Sequence, residues 1–391
     1  MVHVRVTESL AKRIADAARD RSPIVGYTHN FYRYPARFSP KFAAAAIECF
    51  SKPGDLVCEP YMGGGTGIVQ ALAMGRHAVG NDLNSLSGFI TKVKITSLTR
   101  AEITAVIAWA ENTVPALSYR HPSRPLSELL NDIKTKNLSL TRGRFIKKLI
   151  ASALDTLNQL PTTHSSDFVR CALLCVSQWA LDGRKTHTSL SEFRDKLGET
   201  TLSMLTGIED FRRAVESHKV IPTHFLSSGD AAHIDKLPIF ASHGKKARLV
   251  VTSPPYPGVH VLYHRWQVDG RRETPAPYWI ANQMDGEGYT YYNFGGRQEQ
   301  GSITYFNNSL KTLRAIRNTM IDGGIMVQMV AFGDPRTQLP LYLENMEEAG
   351  FGEVFSGNKR IWRQVPHRKW HATLQGKTHS AREVVLIHRA C

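Results

Sequence analysis

A glycine cluster between two short apolar runs is the feature that most constrains how this chain can fold. Residues 55–60 (DLVCEP) are typical of a buried strand, residues 62–67 (MGGGTG) form the cluster, and IVQALAM after it has helical length and spacing. Residues 77–82 (HAVGND) then indicate a second strand that ends at Asp82. A strand, a glycine-rich turn, a helix and a strand in this order form a βαβ unit. The sequence therefore predicts a parallel α/β sheet.

The same glycines restrict the kind of ligand. They permit positive φ and let backbone N–H groups approach a ligand at a helix N-terminus. The dinucleotide fingerprint G-x-G-x-x-G is absent, because Ile68 stands three residues after Gly65, and no G-K-[ST] follows for a phosphate-binding loop. A nucleotide-like ligand without a pyrophosphate remains. Asp82 is placed at the tip of the next strand, where a carboxylate can accept both ribose hydroxyls.

Other segments extend the sheet and divide the chain. Helical periodicities dominate from about residue 97 to 220, whereas strand patterns return at IPTHFLSSGD, ARLVVTSPPY, GGIMVQMVAF and EVVLIHR. The pair Ser39-Pro40 predicts the start of an additional helix through KFAAAAIECF. The simplest architecture is one α/β sheet interrupted by a helical insertion, with boundaries at 1–96, 97–220 and 221–391.

The charge balance indicates the kind of partner. The chain has 49 Lys and Arg against 34 Asp and Glu, a formal net charge of +15. A protein this basic usually binds a polyanion, and nucleic acid is the first candidate, although solubility alone is the alternative. Between Val354 and Arg382 there is no acidic residue, while Trp362 and Trp370 stand among the basic ones. This segment predicts DNA contacts, the alternative being a solvated charged face, and its candidates are Arg360, Arg363, Arg368 and Lys369.

Membrane, secreted and metal-binding classes are not indicated. No window approaches the roughly 18 apolar residues of a membrane span, and the first residues lack the apolar centre of a signal peptide. Five scattered cysteines give no disulfide framework, which fits a reducing interior. Cys171 and Cys175 lie one helical turn apart in an apolar run and are expected in the core. The sequence predicts no metal site and a cytoplasmic protein.

A second motif follows the strand Val250–Thr252. It reads Ser253-Pro254-Pro255-Tyr256. Two prolines fix φ and remove two backbone donors, so the turn presents carbonyl acceptors beside the Ser253 hydroxyl. An exocyclic amine of a nucleobase offers two N–H donors that match such acceptors, and Tyr256 supplies a face on which a planar base can stack. The alternative is an ordinary Pro-Pro turn at the end of a strand.

With the glycine loop, this tetrapeptide resembles the S-adenosylmethionine-dependent DNA amino-methyltransferases, which methylate N4 of cytosine or N6 of adenine. The resemblance covers about residues 27–95 and 222–390. It implies a Rossmann-like methyltransferase sheet, mostly parallel with one antiparallel C-terminal strand, and a catalytic role for the tetrapeptide. It also implies that S-adenosylmethionine is bound by Tyr34, Pro35, Ala36, Phe38, Glu59, Pro60, Met62, Gly63, Gly64, Gly65, Thr66, Asp82, Leu83, Asp230 and Thr252.

This chain departs from the family in the loop. Many members have Gly-Ser-Gly where this chain has Gly63-Gly64-Gly65, which removes a hydroxyl but keeps the backbone donors. The order of the motifs resembles the subgroup that reads its target with the region between them, here the helical insertion. Residues 257–300 are also rich in Tyr, Trp and Arg, so either segment is a candidate for base recognition.

The resemblance implies a reaction and its partners. Ser253 before Pro-Pro-Tyr favours N4 of cytosine in double-stranded DNA, reached by base flipping, over N6 of adenine. A methyltransferase acting on RNA or protein and a catalytically silent DNA-binding module are the other classes left open. A cognate restriction endonuclease is a candidate partner, no membrane partner is expected, and the expected state is a monomer or weak dimer associated with the nucleoid through DNA.

Overall fold

The sheet positions every site residue considered below. The computed structural model describes residues 8–35, 37–118, 135–138, 143–184, 186–257, 265–268, 270, 272–283, 299–354, 359–365 and 382–391. Its eight-stranded sheet has the order β3-β2-β1-β4-β7-β10-β8, and β9 pairs with β10. The strands are β1 (Leu56–Glu59), β2 (His77–Asp82), β3 (His224–Ser228), β4 (Ala247–Thr252), β7 (Met320–Ala331), β8 (Phe351–Glu353), β9 (Ile361–Gln364) and β10 (Arg382–Ala390).

The direction of the strands agrees with the predicted sheet. Strands β3, β2, β1, β4 and β7 are paired in parallel. The C-terminal strand β10 runs antiparallel to β7, to β8 and to β9. The expectation of a mostly parallel, Rossmann-like sheet with one antiparallel strand near the C-terminus is confirmed.

Helices cover the sheet and fill the predicted insertion. They are α1 (Glu8–Arg19), α2 (Pro40–Phe50), α3 (Thr66–Ala73), α4 (Ser85–Ile95), α5 (Arg100–Ala108), α6 (Val114–Ala116), α7 (Arg144–Asp155), α8 (Thr163–Leu181), α9 (Leu190–Glu216), α10 (Pro238–Ala241), α11 (Ala276–Ala281), α12 (Glu299–Asn318) and α13 (Pro335–Glu348). A π-helical turn (Trp109–Thr113) joins α5 to α6, and 3₁₀ turns occupy Thr156–Gln159 and Ala231–Lys236.

Alternating residues of the central strands enter two different cores. Val57 of β1 and Val251 of β4 belong to one cluster of buried residues. Their neighbours Cys58 and Val250 belong to another. Because successive side chains of a strand point to opposite faces, both faces of the sheet are covered. Near-continuous apolar strands such as LVCE follow from this double burial.

The helix starts follow from local sequence. The Ser39 hydroxyl accepts the Phe42 N–H at 3.2 Å, and Pro40 occupies the first turn of α2. Asn84 caps α4 by accepting the Leu86 N–H at 3.0 Å. Thr99 and Glu102 form a capping box at α5. These caps satisfy N–H groups that the first helical turn leaves without intrahelical partners.

The described part of the insertion consists of helices α5 to α9, between β2 and β3 in sequence. A two-stranded hairpin, β5 (Trp266–Val268) and β6 (Arg272–Thr274), packs against it. The Gly183 N–H after α8 donates to the Gln267 carbonyl at 2.7 Å, and the Gln267 N–H donates to Asp182 Oδ1 at 3.1 Å. Among the described helices, none combines the length and hydropathy that a membrane-spanning segment requires.

Candidate active site

Four predicted site segments begin where adjacent parallel strands end. Asp230 follows β3, Asp82 ends β2, the glycine loop follows β1, and the tetrapeptide follows β4. These strands are consecutive in the sheet, at a spacing of about 4.8 Å. The chain winds from β1 outward to β3 and then returns to place β4 on the other side of β1. Ligands of such sheets bind in the crevice at this switch point, so the loop and the tetrapeptide flank the same crevice.

The glycine loop has a backbone shape that side chains would prevent. Gly65 has φ 70° and caps α3, and a Cβ on it would lie 2.5 Å from Thr91 Oγ1. A Cβ on Gly64 would lie 2.9 Å from Tyr34 Cβ. Gly63 has φ 48°. The loop therefore needs glycine for conformation at Gly63 and Gly65 and for close packing at Gly64.

Side-chain hydrogen bonds fix the first two carbonyls of the glycine loop. The Ser87 hydroxyl donates to the Gly63 carbonyl at 2.5 Å, and the buried Lys94 ammonium donates to the Gly64 carbonyl at 2.7 Å. The Gly65 N–H is bound by the Met62 carbonyl at 2.7 Å. Among the described residues, no acceptor is hydrogen-bonded to the Gly64 N–H. That N–H is a candidate donor to a ligand in the crevice.

Asp82 connects β2 to the loop. Its Oδ2 accepts the Gly63 N–H at 2.8 Å, and its Oδ1 accepts the Asn84 N–H at 2.9 Å. Burial raises the pKa of this carboxyl to about 6, although both N–H donors act in the opposite direction. The next side chain, Leu83, is 48% exposed. The exposed Leu83 side chain offers an apolar surface to a planar ligand. The half-buried Asp82 carboxylate beside it can accept hydrogen bonds from the same ligand.

Two buried ionisable groups lie beneath the loop. A Cβ on Gly67 would lie 2.6 Å from Glu59 Oε2, and burial raises the pKa of Glu59 well above its ordinary value. Burial lowers the pKa of the Lys94 ammonium to about 7. The sequence analysis named Glu59 but missed Lys94, because one lysine on an amphipathic helix carries no sequence signal. Its role became visible only through its contact with Gly64.

The segment before α2 lies against the loop through Tyr34. Its hydroxyl accepts the Asn84 Nδ2–H at 2.9 Å, and the Tyr278 hydroxyl donates to Asn84 Oδ1 at 2.8 Å. Asn84 thus joins the cofactor segment to α11, a contact that the sequence did not predict. Phe38 packs edge-on to Phe42 in the core, with ring centroids 5.7 Å apart, and its contact with the cofactor stays a prediction.

The remaining predicted cofactor residues differ in exposure. Met62 and Thr66 are buried, and Thr252 at the end of β4 is fully buried, with an Oγ1 that has no hydrogen-bond partner among the described residues. Asp230 is exposed and accepts the Ala232 N–H at 2.9 Å. Pro35 is half-buried and Pro60 is buried. Ala36 lies outside the described residues.

The tetrapeptide is held by bonds from three elements. Ser253 Oγ donates to the Met329 carbonyl of β7 at 2.9 Å and lies 3.0 Å from Tyr256 Oη. The Tyr305 hydroxyl of α12 donates to the Pro255 carbonyl at 2.8 Å. No donor in the described part of the chain is hydrogen-bonded to the Pro254 carbonyl. Ser253 Oγ and the Pro254 carbonyl therefore remain the acceptor pair that the sequence suggested.

Tyr256 is oriented inward. It is 8% exposed, and its hydroxyl donates to Glu383 Oε1 of β10 at 2.9 Å. Glu383 in turn forms an ion pair with Arg363 of β9. The predicted stacking of a base on the Tyr256 ring stays a prediction, since the ring is mostly covered in this structure. The sequence could not reveal Glu383, which stands far along the chain from the tetrapeptide.

Two predicted DNA contacts already have carboxylate partners. Arg360 binds both oxygens of Glu353, at 2.6 and 2.8 Å, and its side chain is 18% exposed. The Arg363 side chain is 16% exposed and binds Glu383. Both partners stand just outside the acid-free segment that suggested a basic surface. Contact of these arginines with DNA stays a prediction, and Arg368 and Lys369 lie outside the described residues.

The donor and acceptor set fits a nucleoside with a charged tail. It offers a carboxylate at a strand tip, an exposed apolar residue beside it and a glycine loop at the start of a helix. The carboxylate suits a ribose, the apolar residue suits a base, and the N–H groups of the glycine loop suit a charged tail. Within the described ranges, no cluster of three or more His, Cys, Asp or Glu residues could hold a metal ion.

The strand order and the crevice at its switch point define the class: the chain has a Rossmann-like methyltransferase fold. Residues 12–86, a minority of the chain, match the family model N6_N4_Mtase, described as DNA methylase. This segment carries the glycine loop and Asp82, and it is similar to that DNA amino-methyltransferase family. S-adenosylmethionine is the methyl donor of this class of enzyme.

Two curated relatives extend the match. Type II methyltransferase M.MvaI of Kocuria varians is 28% identical over 118 residues, 27% of this chain and 26% of that protein. Type II methyltransferase M.MjaII of Methanocaldococcus jannaschii is 29% identical over 69 residues, 18% of this chain and 13% of that protein. The chain thus spans about a quarter or less of the length of these relatives.

Solved structures give weaker similarity. TrmN of Thermus thermophilus has a TM-score of 0.34 and 10% identity, covering 90% of this chain and 49% of that one. The rRNA methyltransferase aviRa of Streptomyces viridochromogenes has a TM-score of 0.32 and 10% identity, covering 92% and 90%. The strand order of this chain by itself gives the Rossmann-like arrangement.

Proposed function

We propose that this protein transfers a methyl group from S-adenosylmethionine to the N4 amino group of cytosine in double-stranded DNA. The observation that supports it best is the pairing of β1 with β4, which brings the glycine loop and Ser253 to one crevice. The family of residues 12–86 supports an exocyclic amine as the target. The formal net charge of +15 supports a polyanionic substrate.

In this proposal the glycine loop and Asp82 hold the donor, and the tetrapeptide holds the acceptor. When bound, S-adenosylmethionine supplies a methyl group on a positively charged sulfur. Asp82 would accept the ribose hydroxyls, the Gly64 N–H would donate to the cofactor, and Leu83 would contact its adenine. Asp82 and the Gly64 peptide are held by hydrogen bonds before a ligand enters, so they need little ordering on binding.

The target base is buried in duplex DNA and must leave the stack, which costs a few kcal/mol. Ser253 Oγ and the Pro254 carbonyl then accept the two N–H groups of the amine. This geometry makes the nitrogen more pyramidal and directs its lone pair toward the methyl group. A strong base is not needed before attack, because the proton becomes acidic once the nitrogen carries positive charge. Positioning supplies most of the rate enhancement.

The choice of N4 of cytosine rests on Ser253, since adenine-specific members more often carry Asp or Asn before Pro-Pro-Tyr. N6 of adenine is the second candidate. The proposal includes a cytoplasmic protein that meets DNA at the nucleoid, with a cognate restriction endonuclease as a candidate partner. It assigns target recognition to the insertion between β2 and β3 or to residues 257–300.

The product identifies the reaction. Purified protein is incubated with isotope-labelled S-adenosylmethionine and mixed-sequence duplex DNA, and the digested nucleosides are analysed by mass. We expect labelled N4-methylcytosine. N6-methyladenine would reverse the choice of base, and label found only in RNA or protein would reject DNA as the substrate.

Ser253→Ala is the matching variant. It removes one acceptor of the target amine but no contact of the glycine loop, so turnover should fall roughly tenfold to a hundredfold at nearly unchanged cofactor affinity. Turnover and cofactor binding are measured separately, by product formation and by titration calorimetry. Equal loss of both would place Ser253 in cofactor binding instead.

A further inference from the structure

A buried carboxylate lies directly behind the tetrapeptide. Glu383 is 2% exposed on β10, and its Oε1 accepts the Tyr256 hydroxyl at 2.9 Å. Tyr256 Oη lies 3.0 Å from Ser253 Oγ. Strand β10 thus reaches the acceptor of the target amine through one tyrosine, and the function proposed above gives Glu383 no part.

The hydroxyls of Ser253 and Tyr256 carry two hydrogens, whereas three short contacts join them to each other, to Met329 and to Glu383 within the described part of the chain. One of these joins Ser253 Oγ to the Met329 carbonyl at 2.9 Å. A carboxylate is a stronger acceptor than a hydroxyl, so the Tyr256 hydrogen is directed to Glu383. Tyr256 Oη then has a lone pair, and no hydrogen, on the side of Ser253 Oγ. Whether the Ser253 hydrogen is directed to Tyr256 or to Met329, the Ser253 lone pairs stay available.

An ion pair with the second oxygen of Glu383 favours the ionised form of this carboxylate. Arg363 forms an ion pair with Oε2, and the Glu383 side chain is 3% exposed. Arg363 also donates to the Ala18 carbonyl at the end of α1, at 3.1 Å, which holds the guanidinium in place. An ionised carboxylate has only acceptors, so it cannot donate a hydrogen back to Tyr256.

We propose that Glu383 is a positioning residue for methyl transfer: by accepting the Tyr256 hydroxyl, it holds Ser253 Oγ as an acceptor for the target amine. The inference rests on the proposed function. It assigns Tyr256 a role through its hydroxyl, in addition to any stacking by its ring.

The test uses Glu383→Gln and a matched control. The glutamine amide has a similar size but carries N–H donors, so it can donate to Tyr256 Oη. The Tyr256 hydrogen would then point toward Ser253 and be accepted by a lone pair of Ser253 Oγ. We expect kcat to fall roughly tenfold to a hundredfold while cofactor affinity stays unchanged. Glu353→Gln removes the carboxylate that binds Arg360, whose side chain is 18% exposed against 16% for that of Arg363, and should leave kcat unchanged.

A double variant separates positioning from folding. Tyr256→Phe removes the hydroxyl that the glutamine would turn, so Glu383→Gln/Tyr256→Phe should be faster than Glu383→Gln alone. A merely structural role of Glu383 would make the double variant equally slow or slower. If Glu383→Gln does not bind the cofactor, Glu383→Gln/Arg363→Gln replaces it in the same comparison, because it leaves no unpaired buried cation.

A spectroscopic readout does not depend on turnover. In protein with ¹³C-labelled tyrosine, the Tyr256 Cζ resonance, assigned by its loss in Tyr256→Phe, should shift in Glu383→Gln and not in Glu353→Gln. Wild-type kcat in Glu383→Gln, or a double variant no faster than this single one, would overturn the proposal. A wild-type protein that methylates no DNA would instead reject the proposed function, and this role with it.

Discussion

Single residues at the crevice act on the backbone before they act on a ligand. Asp82 accepts the Gly63 N–H as well as the Asn84 N–H, so one carboxylate shapes the loop and presents its remaining lone pairs to the crevice. Its pKa is raised to about 6 by burial. The state of this proton therefore affects both the loop and the ribose site.

Cofactor affinity should follow the Asp82 proton. Above about pH 6 the carboxyl is ionised and accepts ribose hydroxyls with charge; as pH falls through that value it is protonated and the affinity falls. Asp82→Asn should weaken binding roughly tenfold to a hundredfold, because hydrogen bonds to a charged group contribute about 1.5–3 kcal/mol. Calorimetric titration with S-adenosylmethionine at several pH values measures both effects. An Asp82→Asn profile with the same acid limb as the wild type would show that another group titrates.

At the scale of elements, the sequence predicted the helices and strands whose bounds are set by neighbouring residues. The βαβ unit, the start of α2 at Ser39-Pro40 and the end of β2 at Asp82 are confirmed, because each depends on neighbouring residues. The hairpin β5–β6 and strands β8 and β9 were not predicted, since segments of three or four residues have too little pattern.

The site divides in the same way. Its glycine loop could be located from the sequence because glycine spacing reports local backbone conformation, and cofactor binding by this loop stays a prediction. The supports contributed by Lys94, Asn84 and Glu383 could not, because each depends on a contact that only the folded sheet creates. Arg360 and Arg363 illustrate the reverse: a basic run suggested an open surface, and the fold supplied a carboxylate for each.

The loop between β1 and α3 offers a test of conformation at the scale of an element. Gly65→Ala places a Cβ 2.5 Å from Thr91 Oγ1 at a φ of 70°, which should cost about 1–3 kcal/mol of unfolding free energy and displace the loop. Cofactor affinity should fall with it. Urea denaturation and calorimetric titration report the two effects.

Gly88→Ala is the matched control for that variant. Gly88 lies within α4, and a Cβ there meets nothing within 4 Å. Alanine is the better helix former, so this variant should be unchanged or more stable by up to about 1 kcal/mol, with normal cofactor affinity. A Gly65→Ala protein as stable and as competent as Gly88→Ala would show that the loop tolerates a side chain.

For the whole molecule, the excess of basic residues divides into cations that carboxylates already bind and cations that are available to phosphates. The formal net charge is +15, but cations already bound by carboxylates contribute little to phosphate binding. Arg360 makes two hydrogen bonds to Glu353, and Arg363 is bound to Glu383 behind the tetrapeptide. We therefore expect phosphate contacts in the acid-free segment to come from Arg368 and Lys369 rather than from these two.

Salt dependence can separate these cations. Each phosphate contact contributes about 0.9 to the slope of log affinity against log salt concentration on duplex DNA. Arg368→Gln/Lys369→Gln should therefore lower the magnitude of the slope by roughly 1.8, whereas Arg360→Gln should leave it unchanged because its guanidinium is bound to Glu353. The measurement is fluorescence anisotropy of a labelled duplex across a potassium chloride series. If Arg360→Gln lowered the slope and the double variant did not, the basic surface would include Arg360, just before β9, and the ion pair with Glu353 would have to open on DNA.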